Sequence, residues 1–84
     1  MVHYLITCRS LTYAQKAARV LERAGLTALI MRTPKGLSRE GCSYCVKVSE
    51  RRGALALAIL KENDARVSRV FLQYPTGETR EVPV

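Results

Sequence analysis

With 84 residues, 48% of them hydrophobic, the chain is expected to form a single domain over residues 1–84, with a limited core but enough apolar content to fold without staples. Three cysteines, an odd number without framework spacing, argue against a secreted disulfide scaffold. The N-terminus has no basic segment followed by an apolar run and a small-residue cleavage site, so a cytoplasmic location with reduced thiols is expected.

The longest apolar run, Ala54 to Leu60, is far below the roughly 18–20 residues of a membrane span, and no membrane partner is expected. A net charge of +7 attracts polyanions through counterion release. The basic residues are nevertheless scattered, few aromatics interleave with them, and no RNP-like Gly-Phe-x-Phe segment offers base stacking. Nucleic acid as a partner therefore rests on charge alone, and a solvated basic surface accounts for the same residues.

Val2 to Cys8 is rich in β-branched and aromatic residues and predicts a strand, with Val2, Tyr4, Ile6 and Cys8 on the core face and His3, Leu5 and Thr7 on the other. His3, the sole histidine, has no neighbouring acid or second histidine and reads as structural or exposed. A helix follows, with Thr12 and Gln15 as a capping box and Ser10 as the alternative cap. Its buried stripe is Ala14, Ala17, Ala18, Leu21 and Ala24, and Gly25 ends it. Leu26 to Arg32 predicts a second strand, stopped by Thr33-Pro34.

Ser43 to Val48 predicts a third strand, with Tyr44, Val46 and Val48 on one face and Ser43, Cys45 and Lys47 on the other. Ser49 and Glu50 suit a second helix N-terminus, its stripe runs through Gly53, Ala56, Leu57 and Leu60, and Asn63-Asp64 closes it. Val67 to Tyr74 predicts a fourth strand. Residues 75–84 form a turn and C-terminal tail, in which Pro75-Thr76-Gly77-Glu78 turns the chain and Thr79 to Val84 supplies an edge strand that Pro83 keeps from pairing further.

The order β-α-β-β-α-β points to an α+β, ferredoxin-like sandwich, an antiparallel sheet with two helices on one face and an added C-terminal edge strand. Taking the strand order 4-1-3-2 with the first and third strands as parallel neighbours, Cys8 and Cys42 are expected at opposite ends of the sheet. At about 3.3 Å per residue over six residues they would be roughly 20 Å apart, beyond the roughly 7 Å Cα limit of a disulfide. Cys8 is then a buried small hydrophobe. Exposed sheet edges allow a homodimer.

Chemistry concentrates in Thr33 to Val48, where Cys42 and Cys45 sit two residues apart, flanked by Lys35, Arg39 and Lys47. These cations favour a thiolate at Cys42 and attract anionic partners. The C-x-x-C spacing also admits a soft metal, but two thiols fall short of a structural zinc site's four ligands, and no metal or cofactor is assigned. A dithiol oxidoreductase would place its first cysteine at a helix N-terminus, whereas Val46-Lys47-Val48 is strand-like. Paired carboxylates, a Walker-type phosphate loop and a nucleophile elbow are all missing, which favours a group carrier or interaction module over an independent catalyst.

Tyr4-Leu5-Ile6-Thr7, the alanine-rich helix ending Leu21-Glu22-Arg23-Ala24-Gly25, the segment Thr33-Pro34-Lys35 and a cysteine opening a strand together resemble a small bacterial family, the selenium/sulfur carrier-like proteins, over about residues 3–72. In that family the segment reads Thr-Pro-Arg, a serine-containing loop, then Cys-Gly and an alternating strand. Thr33 and Pro34 match, Lys35 replaces arginine, Ser38 falls in the loop and Cys42 takes the cysteine position. Ser43 replaces the usual glycine, and Cys45 is an added thiol. The resemblance implies that Cys42 holds a persulfide or perselenide, with Cys45 as a candidate resolving thiol. Thr33, Pro34, Lys35, Arg39 and Lys47 would then meet the partners, a cysteine desulfurase or selenocysteine lyase and an acceptor enzyme.

Overall fold

The computed structural model describes residues 1–37 and 44–83. Strand β1 (His3–Cys8) leads into helix α1 (Leu11–Arg23), β2 (Leu29–Arg32), β3 (Tyr44–Ser49), helix α2 (Glu50–Glu62), β4 (Val70–Gln73) and β5 (Thr79–Val82). The five strands form one sheet in the order β2-β3-β1-β4-β5, every neighbouring pair antiparallel. This is the ferredoxin-like α+β arrangement expected from the element order, with the C-terminal strand added at the β4 edge.

Both helices cover one face of the sheet. Ile6, Cys8, Val46, Val48 and Val70 from the strands meet Ala14, Ala17, Ala18 and Leu21 of α1 and Ala56 and Leu60 of α2 in one core. The alanines of α1 keep its stripe thin and allow close approach to the sheet. At α2 the approach is closer still: a Cβ on Gly53 would stand 2.3 Å from two ring carbons of Tyr4.

Local signals explain the helix ends. Ser10, extended at φ −147° and ψ 167°, caps α1, its hydroxyl accepting from the Tyr13 N–H. Thr12, the first choice on sequence, already lies inside the helix, because the Ala14 N–H closes the first turn onto the Ser10 carbonyl at 3.0 Å. At the other end Leu26 N–H bonds Leu21 O and Gly25 N–H bonds Glu22 O, each at 3.0 Å, with Gly25 at φ +87°. This Schellman closure buries Leu26 in place of Ala24, which stays exposed. It also delays β2, which starts three residues later than the apolar run suggests. Helix α2 closes the same way at Asp64, a non-glycine residue at φ +53°, with Ala65 N–H on Leu60 O.

Strand β4 is shorter than expected as well. Ser68 and Arg69 both face Thr7: Ser68 N–H bonds Thr7 O at 2.8 Å, Thr7 N–H bonds Arg69 O at 2.8 Å, and Arg69 N–H takes the Thr7 hydroxyl at 2.9 Å. Two residues opposite one is a bulge, and it ends regular pairing at Val70.

Two expectations need correction. Strands β1 and β3 run antiparallel, with Cys8 opposite Tyr44 and Thr7 opposite Cys45. The β1-α1-β2 crossover makes β2 parallel to β1, and β3 returns antiparallel between them, so β1 ends where β3 begins. The parallel pairing therefore fails, and with it the premise of the roughly 20 Å estimate; the separation itself involves Cys42, which lies outside the described residues. The second correction concerns β1, for Leu5 and Thr7 are as deeply buried as Ile6 and Cys8. The helix-free face carries its own small core.

Candidate functional site

That second core is Leu5, Cys45 and Phe71, with Met31 and Leu37 packed against it. Alternation along β1, β3 and β4 sends these side chains away from the helices, and the chain leaving β2 covers them. After Arg32, Pro34 O accepts from Leu37 N–H at 3.1 Å, and Gly36 takes φ +92°. Glycine at the third position of such a turn supplies the positive φ, and the turn returns Leu37 to the sheet. Arg69 stands over the Phe71 ring at 5.3 Å, so a guanidinium group shares this face with the apolar cluster; Arg32 stands over Tyr44 at 5.9 Å, and Tyr44 packs on the helix-side core.

Cys45 is fully buried, and its thiol is pushed up to about 11. Burial is the main cause, since an apolar setting disfavours the anion. The Thr33 hydroxyl and the charge on Lys47 pull weakly the other way. Thr33 Oγ1 is buried and makes no well-formed hydrogen bond, so its interaction with the Cys45 thiol is a loose one.

Of the residues singled out on sequence, Thr33, Pro34, Cys45 and Lys47 are thus gathered on or beside the helix-free face. Lys35 is exposed at the tip of the turn. Arg39 and Cys42 lie outside the described residues. Cys8 is on the opposite face, fully buried in the helix-side core, with Sγ 3.8 Å from Ile6 O. Among the described residues, no group of three or more His, Cys, Asp or Glu side chains is arranged to hold a metal ion. Nor is any described helix long and apolar enough to cross a membrane.

His3 stands apart from the cysteines. Its imidazole is held below the usual value, first by burial, then by the charges of Lys47 and the N-terminus. Leu5, Leu37 and Phe71 were not anticipated as sharing a cluster with Cys45. The available signal was Leu5 itself, an apolar residue on the supposedly outer face of the central strand.

The fold is thus a ferredoxin-like α+β sheet whose helix-free face is covered, at the strand cysteine Cys45, by Leu37 at the end of the Pro34–Leu37 turn. Residues 3–72 match the family described as "Putative Se/S carrier protein-like", and the chain belongs to that family. Neither the curated proteins nor the solved structures gave a match.

Proposed function

We propose that this protein carries sulfur or selenium as a persulfide or perselenide on Cys42, between a donor of the cysteine desulfurase or selenocysteine lyase type and an acceptor enzyme. The observation that carries the proposal is family membership across residues 3–72. The state of the other thiols supports it. Cys8 and Cys45 are both fully buried, and a thiol held near 11 is almost wholly protonated at neutral pH, whereas the attacking species must be an accessible thiolate.

The transfer is two displacements. The Cys42 thiolate attacks the terminal sulfur of the donor's persulfide; an S–S bond to Cys42 forms, the donor's S–S bond breaks, and the donor cysteine leaves as a thiolate. At the acceptor the same displacement moves the sulfur on and returns the Cys42 thiolate, with no net oxidation in either step. Lys35, Arg39 and Lys47 favour the anionic forms by charge. Cys45 has no part in loading. A resolving role in release has the Cys45 thiolate attack Cys42 Sγ, forming a Cys42–Cys45 disulfide while the persulfide bond breaks and its outer sulfur leaves as hydrosulfide; it requires the Leu37 cover to part, the Cys45 thiol to lose its proton and an external thiol reductant to reopen the disulfide.

The test is intact mass after incubation with a cysteine desulfurase and its substrate, alongside alkylation rates for each cysteine. The wild type, Cys8→Ala and Cys45→Ala are expected to gain one adduct and Cys42→Ser none, with Cys42 alkylating fastest near neutral pH. Slower release from Cys45→Ala supports the resolving role. A Cys42 that alkylates no faster than Cys8 at any accessible pH overturns the carrier reading.

A further inference from the structure

At the end of the sheet where β1 finishes, a groove of about 880 Å³ opens between the start of α1, the last two turns of α2 and the segment leading to β4. Its floor includes the half-buried Leu57, Ala65 and Val67, with Leu60 buried beneath them, and Arg9, Lys61 and Arg66 also line it. The volume falls within the roughly 300–1,000 Å³ of small-molecule sites. None of the lining residues is acidic, and the salt bridge found among the described residues, Arg69 to Glu81, lies elsewhere.

The local backbone makes this more than a scatter of surface charge. The Schellman closure of α2, with Ala65 N–H on Leu60 O and Asp64 in the left-handed region, turns the chain sharply between Lys61 and Arg66. Both cations thereby flank the same depression that Leu57 and Ala65 leave beside α2. Arg9, just beyond β1, lines it too, and Tyr13 adds an aromatic edge that is 39% exposed. Among the described residues these three cations have no carboxylate partner, and beside a partly exposed apolar floor they form a pattern that water satisfies only in part, because the floor gains from being covered and the charges from a counter-charge.

We infer that this groove binds a small organic anion, whose apolar or aromatic body lies on Leu57, Ala65 and Val67 while its carboxylate, phosphate or sulfonate is taken by Arg9, Lys61 and Arg66. The inference is independent of the carrier chemistry and does not involve a cysteine. Guanidinium groups suit a planar or tetrahedral oxyanion through paired N–H donors, and the apolar floor selects against inorganic phosphate alone.

The experiment uses the whole chain and 8-anilinonaphthalene-1-sulfonate as probe, followed by fluorescence and by amide chemical shifts. Shifts are expected to concentrate at Arg9–Tyr13, Leu57–Lys61 and Ala65–Ser68. The charge reversals Lys61→Glu and Arg66→Glu, both at exposed positions, are expected to weaken binding tenfold or more. Arg19→Glu, an equal change of net charge on the exposed side of α1, is expected to leave affinity within twofold, and Cys42→Ser to leave it unchanged. The uncharged N-phenyl-1-naphthylamine should bind at least tenfold more weakly than the sulfonate. Equal loss in Arg19→Glu, equal binding of the uncharged probe, or shifts mapping to another face overturns the inference. An acidic, leucine-bearing peptide that occupies the groove at least tenfold more tightly than the sulfonate also overturns it, in favour of a partner's segment.

Discussion

Gly53 at the end of the first turn of α2 offers a test in which two physical effects of known sign oppose each other. Replacing an interior helical glycine by alanine ordinarily stabilises a protein by about 1 kcal/mol, because alanine has the better helix propensity. Here the new Cβ would stand 2.3 Å from Tyr4 Cδ1 and Cε1 and 2.7 Å from Cγ, whereas carbon atoms rest at about 3.5–4.0 Å. The proximity of Cγ matters, since a ring flip or small tilt cannot clear a contact so near its pivot. Either Tyr4 leaves its rotamer or α2 lifts by about an ångström, loosening Ala56 and Leu60. Overpacking of this kind costs about 1–3 kcal/mol and occasionally more. Contacts as short as 2.3 Å place the cost in the upper part of that range, about 2–3 kcal/mol, so net of the propensity gain Gly53→Ala should destabilise by about 1–2 kcal/mol, a fall in Tm of roughly 5–15 °C at this chain length. The assay is urea and thermal unfolding followed by circular dichroism, in wild-type and Tyr4→Ala backgrounds. With the ring removed, Gly53→Ala should turn neutral or stabilising, and the cycle should give a coupling energy of at least about 1 kcal/mol. A stabilising Gly53→Ala in the presence of Tyr4 would refute the reasoning.

Four further outcomes follow from the same packing. Thr7→Val removes the acceptor of the Arg69 N–H while keeping the side-chain shape, so it should cost about 1–3 kcal/mol and speed hydrogen exchange at the Arg69 amide; Thr7→Ser should retain protection. Asp64→Gly relieves a non-glycine residue at φ +53° and should stabilise by about 0.5–1 kcal/mol, read as a higher urea midpoint. The Cys45 thiol has a raised value in the folded chain, about 11 against 9.0, so its contribution is whole below about pH 9 and is lost as the pH rises towards about 11. That loss amounts to at most about 2–3 kcal/mol and should be missing from Cys45→Ala when the two unfolding midpoints are compared across the range. The His3 imidazole should titrate below 6.5 by NMR, and Lys47→Gln should raise its midpoint, because the Lys47 charge opposes protonation.

What the sequence determined by itself was whatever local physics sets. The element order, the thin alanine stripe of α1, the helix end at Gly25, the Asn63-Asp64 closure of α2 and the Pro75–Glu78 turn into β5 all depend on period, caps and turn chemistry within a few residues. The family pattern was legible for the same reason, being a series of short motifs in order. The direction of β3 relative to β1 belongs to how the β1-α1-β2 crossover closes, so only the assembled sheet placed Cys8 across from Tyr44. The helix-free face was also decided in three dimensions. Alternation shows that Leu5, Cys45 and Phe71 leave the helices, but whether that face meets water depends on the turn after β2 bringing Leu37 back onto it. Gly53 shows the same limit within one helix: its place on the buried stripe was legible, while the requirement for glycine came from the Tyr4 ring, a neighbour remote in sequence that only tertiary packing supplies.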